Sequence, residues 1–271
     1  MNEKKYSFNI SKSLNKRFKG TLLARFLRAI DDYKLIEEND KVCVALSGGK
    51  DSLLLAALFE EYKLHYNNNI EIVYVTMNSG FTKEFLSKHL ENCEKIGIKT
   101  EVIDSNVYDV ANHLNPKAPC FLCSRMRRGF LYQKAKDFGC NKLALGHHFD
   151  DAIETTLINM LYTGTFKTML PKVRSKNFES LELIRPMYLI KESDVKIFIR
   201  YHEIDFVSKG CEFQDRNEDS KRREMKELIA QLKKVYKNID INIFRSMENI
   251  NLDSVLGYYN DEKRVSFLDE Y

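Results

Sequence analysis

The chain has 271 residues, and 43 Lys and Arg against 39 Asp and Glu leave a net charge of +4. That length suits one α/β core with small extensions rather than two large domains, and so mild a charge gives no argument for nucleic-acid binding from totals alone. No apolar run approaches the roughly 18–20 residues that span a membrane, and the polar N-terminus lacks the apolar centre of a signal peptide, so a cytoplasmic protein with no membrane partner is expected.

Residues 1–38 read as a basic helical extension. Lys4, Lys5, Lys12, Lys16, Arg17, Lys19, Arg25 and Arg28 interleave with Tyr6, Phe8, Phe18 and Phe26, a mixture suited to phosphates and splayed bases. Leu22, Leu23, Phe26 and Leu27 form a stripe that packs on a core. The two readings coexist if Lys16, Arg17 and Lys19 face outward.

From residue 39 onward, runs rich in β-branched residues alternate with helical spacings. Strands are expected near 41–46, 70–76, 99–103, 141–145 and 181–185, with helices over Leu53–Tyr66, Thr82–Ile96, around Leu131–Phe138 and along Ile153–Leu161. This order predicts a doubly wound, mostly parallel five-stranded α/β sheet. The division is 1–38 extension, 39–210 catalytic domain and 211–271 C-terminal helical extension, whose helix is expected over 221–237. Residues 250–271 carry no firm pattern.

The first expected strand runs into Ser47-Gly48-Gly49-Lys50-Asp51-Ser52 and a helix follows at once. Two glycines let backbone amides approach an anion, two hydroxyls add donors, and a helix N-terminus adds free N–H groups and a positive dipole end. The loop suits pyrophosphate and lacks the spacing of a Walker A loop. A second segment, Leu145-Gly146-His147-His148-Phe149-Asp150-Asp151, also follows a strand and opens a helix. Gly146 there permits close ligand approach, while Asp150 and Asp151 either bind a divalent cation or cap the helix.

Cys43, Cys93 and Cys140 lie in apolar surroundings and read as ordinary buried residues. Cys120 and Cys123 stand three apart after Pro119, and Cys211 follows Gly210 in a polar stretch. Four readings of this trio remain open: three ligands of a 4Fe–4S cluster with an open fourth iron, a zinc site completed by a histidine, a redox dithiol, or a persulfide carrier. Arg125, Arg127 and Arg128 follow the pair directly and can grip a phosphate backbone.

The loop SGGKDS resembles that of the PP-loop ATPase superfamily, with its adenine nucleotide alpha hydrolase-like fold, whose members adenylate a substrate and release pyrophosphate. Together with P-C-F-L-C-S-R-M-R-R, LGHHFDD and the late Cys211, over roughly residues 20–250, the chain is similar to the tRNA 2-thiocytidine synthetase family. Cys211 is followed by Glu-Phe where proline is frequent in that family, and the terminal C-x-x-C pairs of the zinc-bearing uridine thiolases are absent from this sequence. The resemblance implies ATP held by Ser47, Gly48, Gly49, Asp51, Ser52, Thr76, Met77, Gly146, His147 and Asp151, with Lys50 beside the α-phosphate and Mg2+ at Asp51 and Asp151. It implies a 4Fe–4S cluster on Cys120, Cys123 and Cys211, with zinc as the alternative. It implies tRNA as partner, contacted by Arg125, Arg127, Arg128, Lys16 and Arg17. A sulfur donor (a cysteine desulfurase or free sulfide) and a homodimer complete the expectation; the alternatives are thiolation of a tRNA uridine, or a zinc-stabilised nucleotide-binding module without catalysis.

Overall fold

β1 (Lys41–Leu46) is buried from Val42 onward, as a strand covered on both faces must be. In this computed structural model, which describes residues 3–67, 69–115, 119–207, 218–260 and 263–269, β1 pairs in parallel with β2 (Glu71–Asn78) on one side and β4 (Lys142–Ala144) on the other. β3 (Glu101–Asp104) extends the sheet beyond β2, and β6 (Glu182–Ile184) extends it beyond β4. The sheet order is β3-β2-β1-β4-β6-β5. Chain order reverses between β1 and β4, so the crevice at their carboxyl ends is the topological switch point, where ligands bind in open α/β sheets.

The count of five strands needs correction, because the sheet has six. β5 (Lys172–Arg174) is a three-residue antiparallel edge strand. It is polar and half exposed, follows Pro171, and is too short to show a period.

Helices cover both faces. α3 (Lys50–His65) follows β1, and Leu53, Leu54, Leu55 and Leu58 on it are all fully buried. A helix apolar on every side lies between two layers; here the second layer is α1 (Glu3–Asn15) and α8 (Glu192–Tyr201). Phe18, Leu22, Leu23 and Phe26, from a π-turn at Lys19–Leu23 and from α2 (Ala24–Asp32), join the same core, with Phe26 packed edge-on against Phe59 at 5.5 Å. α4 (Lys83–Ile96) completes this side.

The other face carries α5 (Val107–Leu114) and α6 (Pro119–Asp137), whose Leu131 and Ala135 meet Cys43, Val75 and Leu143. α7 (Phe149–Thr163) follows β4 and packs on α9 (Glu218–Val235) and α10 (Ile239–Glu248), with Phe149 stacked on Phe244 at 4.9 Å. The patternless C-terminal stretch holds an antiparallel hairpin, β7 (Gly257–Asn260) and β8 (Lys263–Ser266). Among the described residues, no helix is long and apolar enough to cross a membrane.

The amino-terminal edge of the sheet is electrostatically closed. Lys142, buried at the start of β4, reaches Glu182 at 2.6 Å and Asp40 at 3.5 Å, and Lys172 reaches Glu182 at 3.1 Å. Buried charges held by partners in this way support structure. The carboxyl edge is built differently.

Gly48 has φ +79°, and a Cβ there would sit 2.6 Å from the Phe85 ring on α4. The left-handed backbone costs a side chain about 1–2 kcal/mol, and overpacking adds about 1–3 kcal/mol. Gly48→Ala is therefore expected to destabilise by about 2–5 kcal/mol in urea denaturation. Adding Phe85→Leu should recover the steric part and leave the backbone part, so a double-mutant cycle should give at least ~1 kcal/mol of coupling. Strict additivity would contradict this packing.

Candidate active site

Three strand ends meet at the carboxyl edge. β1 delivers Ser47–Gly49 to the N-terminus of α3, β4 delivers Leu145–His148 to the N-terminus of α7, and β6 delivers Arg185. The first two loops touch. A Cβ on Gly146 would lie 3.1 Å from the Asp51 carbonyl carbon and 3.1 Å from the Ser52 nitrogen. Gly146 thus lets the β4 loop rest on the first turn of α3, which brings the two glycine-bearing segments into one site.

Within the phosphate loop the hydroxyls are partly spoken for. The Ser52 hydroxyl accepts from the Ser47 N–H at 3.2 Å and donates to the Gly49 carbonyl at 2.9 Å, while the Gly49 N–H donates to Ser47 Oγ at 3.4 Å. Ser52, which is buried, closes the loop on itself. Lys50 lies 2.9 Å from Asp51 Oδ2 and 3.2 Å from Glu192 Oε1. Burial lowers the Lys50 ammonium, but these two carboxylates outweigh it and hold the pKa above its ordinary value. Burial raises the Glu192 carboxyl, yet Lys226 at 2.9 Å, Lys196 at 3.0 Å and Lys50 bring it down to about 2. Asp51 Oδ1 is buried without a hydrogen-bond partner, 3.7 Å from His148 Nε2.

The two aspartates after the histidines divide their work. Asp150 accepts from the Glu192 N–H at 2.7 Å and so caps α8. Asp151 Oδ2 accepts from the His148 N–H at 2.9 Å, capping its own helix, and Asp151 Oδ1 accepts from Arg222 of α9 at 2.6 Å. Burial alone would raise the Asp151 carboxyl; His148, His147 and Arg222 hold it below the usual value. Both its oxygens are engaged, so a cation at Asp151 requires Arg222 to withdraw.

His147 Nδ1 is buried and unpartnered, and burial pushes the ring down to about 4, keeping it neutral. Arg185 is 7% exposed; its Nη1 donates to the Leu170 carbonyl and its Nε is buried without a partner. Burial, then the nearby Arg128, lower its guanidinium to about 10. Asp51 Oδ1, His147 Nδ1, His148 Nδ1 and Arg185 Nε are all buried atoms lacking hydrogen-bond partners among the described residues, and all lie at this edge. Such atoms are costly to leave unmade, and a cluster of them marks a place for a polar ligand.

Thr76 and Met77 are placed with their side chains inside. Thr76 is fully buried and its hydroxyl is shared with His89 Nε2 at 2.8 Å and Thr100 at 2.9 Å. The register with β1 ends at Leu46–Thr76, while β2 stays paired with β3 through Met77–Ile103 and Asn78–Asp104. A cleft of about 490 Å³ beside Lys50, lined by Lys196, Ile199, Arg200, Glu203 and Ile204, includes no other predicted site residue.

Cys123 lies buried on α6 and Arg127 Nη2 donates to its sulfur at 3.8 Å. Cys120 belongs to the same helix three residues earlier; Cys211 lies outside the described residues. Arg125, Arg127 and Arg128 are exposed on α6, and Arg128 is close enough to act electrostatically on both His147 and Arg185. Lys16 and Arg17 are not brought to this edge. Arg17 stacks 4.8 Å over Tyr201 at the far end of α8 from Glu192, and ten helical residues span about 15 Å.

A model of the PP-loop domain matches residues 19–231. A protein named tRNA-cytidine(32) 2-sulfurtransferase from Actinobacillus pleuropneumoniae serotype 5b is 34% identical, over 98% of this chain and 83% of that relative. One of the same name from Alcanivorax borkumensis is 36% identical, over 82% of this chain and 78% of the relative. The chain belongs to the PP-loop family, in its tRNA 2-thiocytidine synthetase branch. Among solved structures, a U34-tRNA thiolase from Methanococcus maripaludis, determined with its [4Fe-4S] cluster, superposes with a TM-score of 0.66 over 84% of this chain and 79% of that one; at 23% identity it shows a shared fold.

Against that PP-loop frame, sequence reasoning missed Arg185, Arg222, Glu154, Glu192 and Lys226. Arg185 was legible by position, since the strand expected over 181–185 ends at Ile184 and leaves the arginine at the carboxyl edge. Arg222 lies in the helix expected over 221–237, but its partner Asp151 is 71 residues away.

Glu154, buried on α7, is pushed up to about 7 by burial, with Lys226 opposing and Asp151 adding to the rise. The folded protein then holds a proton that the unfolded chain releases near 4.5. Stability from this group is full below about pH 4.5 and is lost as pH rises through about 7. Glu154→Gln should leave the melting temperature unchanged at pH 4.5 and raise stability at pH 8 by about 1–3 kcal/mol. Equal stability of the two proteins at pH 8 would contradict the assignment.

Proposed function

We infer that the protein is an ATP-dependent tRNA sulfurtransferase that adenylates C2 of a cytidine and replaces its oxygen with sulfur. The observation that carries this reading is the cluster of unpartnered polar atoms at the switch point, flanked by the phosphate loop on one side and the cysteine-bearing, arginine-rich α6 on the other. The names of the curated relatives, which the chain matches over most of its length, support the tRNA substrate and the cytidine target.

The site's own groups divide the chemistry. The amides of Ser47–Gly49 and the α3 N-terminus receive the β- and γ-phosphates. Asp51, whose Oδ1 is buried and free, has the hard oxygen donor that Mg2+ takes. Asp151 joins it once Arg222 turns from the carboxylate to the phosphates. Lys50 leaves Glu192 for the α-phosphate. The C2 oxygen attacks that phosphorus, forming an O–P bond as the bond to pyrophosphate breaks. The donors already in place stabilise the charge that develops. Sulfur then adds at C2 and the C2–O bond breaks with loss of AMP, an exchange of oxygen for sulfur with no net redox change. His147, neutral and with Nδ1 unpartnered, can donate a hydrogen bond from that nitrogen without adding charge.

The sulfur donor and the cluster rest on the cysteines. Cys123 is buried with a guanidinium donating to its sulfur, which suits an electron-rich ligand, and Cys120 shares its helix. Cys120, Cys123 and Cys211 would hold a 4Fe–4S cluster, which supplies an iron with an open position for sulfide. The sulfide comes from a cysteine desulfurase or free in solution, and zinc at the trio is the competing occupant. Arg125, Arg127 and Arg128 guide the tRNA beside these residues, whereas Lys16 and Arg17 serve a distant part of it. Exposed Met160, Leu161, Phe166 and Leu170 support a homodimer contact. Cytoplasmic work fits a tRNA substrate.

Two outcomes check the reading. Asp51→Asn should lower tRNA-dependent AMP formation at least ~100-fold with a normal melting curve; an unchanged rate contradicts its role. In cells lacking the protein, tRNA hydrolysates should lose 2-thiocytidine, and retention of that nucleoside with loss of a thiouridine would favour the uridine reading.

A further inference from the structure

Arg185 is unusual among the site residues in being a buried cation with no anion of its own. It follows β6 directly, and the Leu145 N–H donates to the Ile184 carbonyl at 3.0 Å, so Arg185 stands beside Gly146 and His147 at the sheet edge. Its backbone N–H donates to the Pro171 carbonyl at 2.9 Å and its Nη1 to Leu170, which fixes the side chain. Its Nε is buried and unpartnered. Among the described residues no ion pair reaches it; the nearby carboxylate, Asp151, is occupied by Arg222 at 2.6 Å and by the His148 N–H at 2.9 Å. His147 Nδ1, also buried and unpartnered, lies close by, and Arg128 adds positive charge from α6.

A fixed guanidinium edge with a spare N–H matches a phosphate oxygen. Depth chooses which phosphate. With 7% of its surface exposed, Arg185 is out of reach of a chain phosphate flanked by two riboses, but it stands beside Gly146, whose loop packs on the first turn of α3 where the phosphate loop ends. We propose that Arg185, with Arg128 and His147, forms the subsite for the nucleotide's α-phosphate, holding it from ATP through transfer to the base and until AMP leaves. The inference rests on the adenylation reading above. It assigns the pyrophosphate to the glycine loop and the AMP half to the β4–β6 side.

Calorimetric titration of AMP and, separately, pyrophosphate into wild-type protein, Arg185→Gln and Arg128→Gln tests this. AMP affinity should fall at least tenfold in Arg185→Gln and several-fold in Arg128→Gln, with pyrophosphate affinity unchanged in both and tRNA affinity unchanged in Arg185→Gln. Unchanged AMP affinity overturns the proposal, as does weaker tRNA binding of Arg185→Gln with a shallower salt dependence, which would make this a nucleic-acid contact. If Arg185→Gln melts early, Arg185→Lys keeps the charge without the fork and should still weaken AMP; AMP binding equal to wild type in both Arg185→Lys and the exposed-site variant Arg128→Gln overturns the assignment. Wild-type tRNA thiolation is assayed alongside. Its absence with the AMP effect intact contradicts the cytidine reading and leaves the subsite supported.

Discussion

The site depends on the contact between Gly146 and the backbone of Asp51 and Ser52. At 3.1 Å there is no room for a side chain, and the two loops that end β1 and β4 approach only because one residue has none. From that contact the rest follows geometrically. The N-termini of α3 and α7 converge on one crevice, Asp51 faces His148 across it, and Arg222 reaches Asp151 from α9. A parallel sheet supplies the crevice, since chain order reverses between the neighbouring strands β1 and β4.

The two edges of the sheet treat polar groups in opposite ways. At the amino edge, Lys142, Glu182, Lys172 and Asp40 satisfy one another. At the carboxyl edge, carboxylate, imidazole and guanidinium atoms are buried without hydrogen-bond partners among the described residues. Leaving one such atom unpaired costs about 1–3 kcal/mol, a cost that a ligand can offset when it binds. Arg222 and Lys226, both on α9, clamp Asp151 and Glu192 in the meantime. The C-terminal helix, which follows the segment bearing Cys211, is thereby tied to the nucleotide side of the crevice as well as to the fold.

Much of this was legible in the sequence because it is local. SGGKDS and LGHHFDD are contiguous, each between a β-branched run and an apolar helix, so both the sheet and the crevice could be placed. The cysteines could be singled out by spacing. What escaped was non-local or too short. β5 has three residues and no period. α8 was missed because its apolar Val195, Phe198 and Ile199 sit among charges. The Arg222–Asp151 and Lys50–Glu192 pairs join residues far apart in sequence. The contact of Gly146 with the Asp51–Ser52 backbone likewise joins residues far apart in sequence. The resemblance carries the finer chemistry; the fold sets the order of the groups along the crevice, from phosphate loop through the histidines to Arg185.

The central claim is that the C2 oxygen of a cytidine attacks the α-phosphorus and leaves as part of AMP. Oxygen labelling reads this directly. With tRNA carrying 18O at C2 of the target cytidine, thiolation by the anaerobic enzyme should release AMP with one 18O in its phosphate, in equal amount to the 2-thiocytidine formed. Unlabelled AMP alongside 2-thiocytidine would contradict the account.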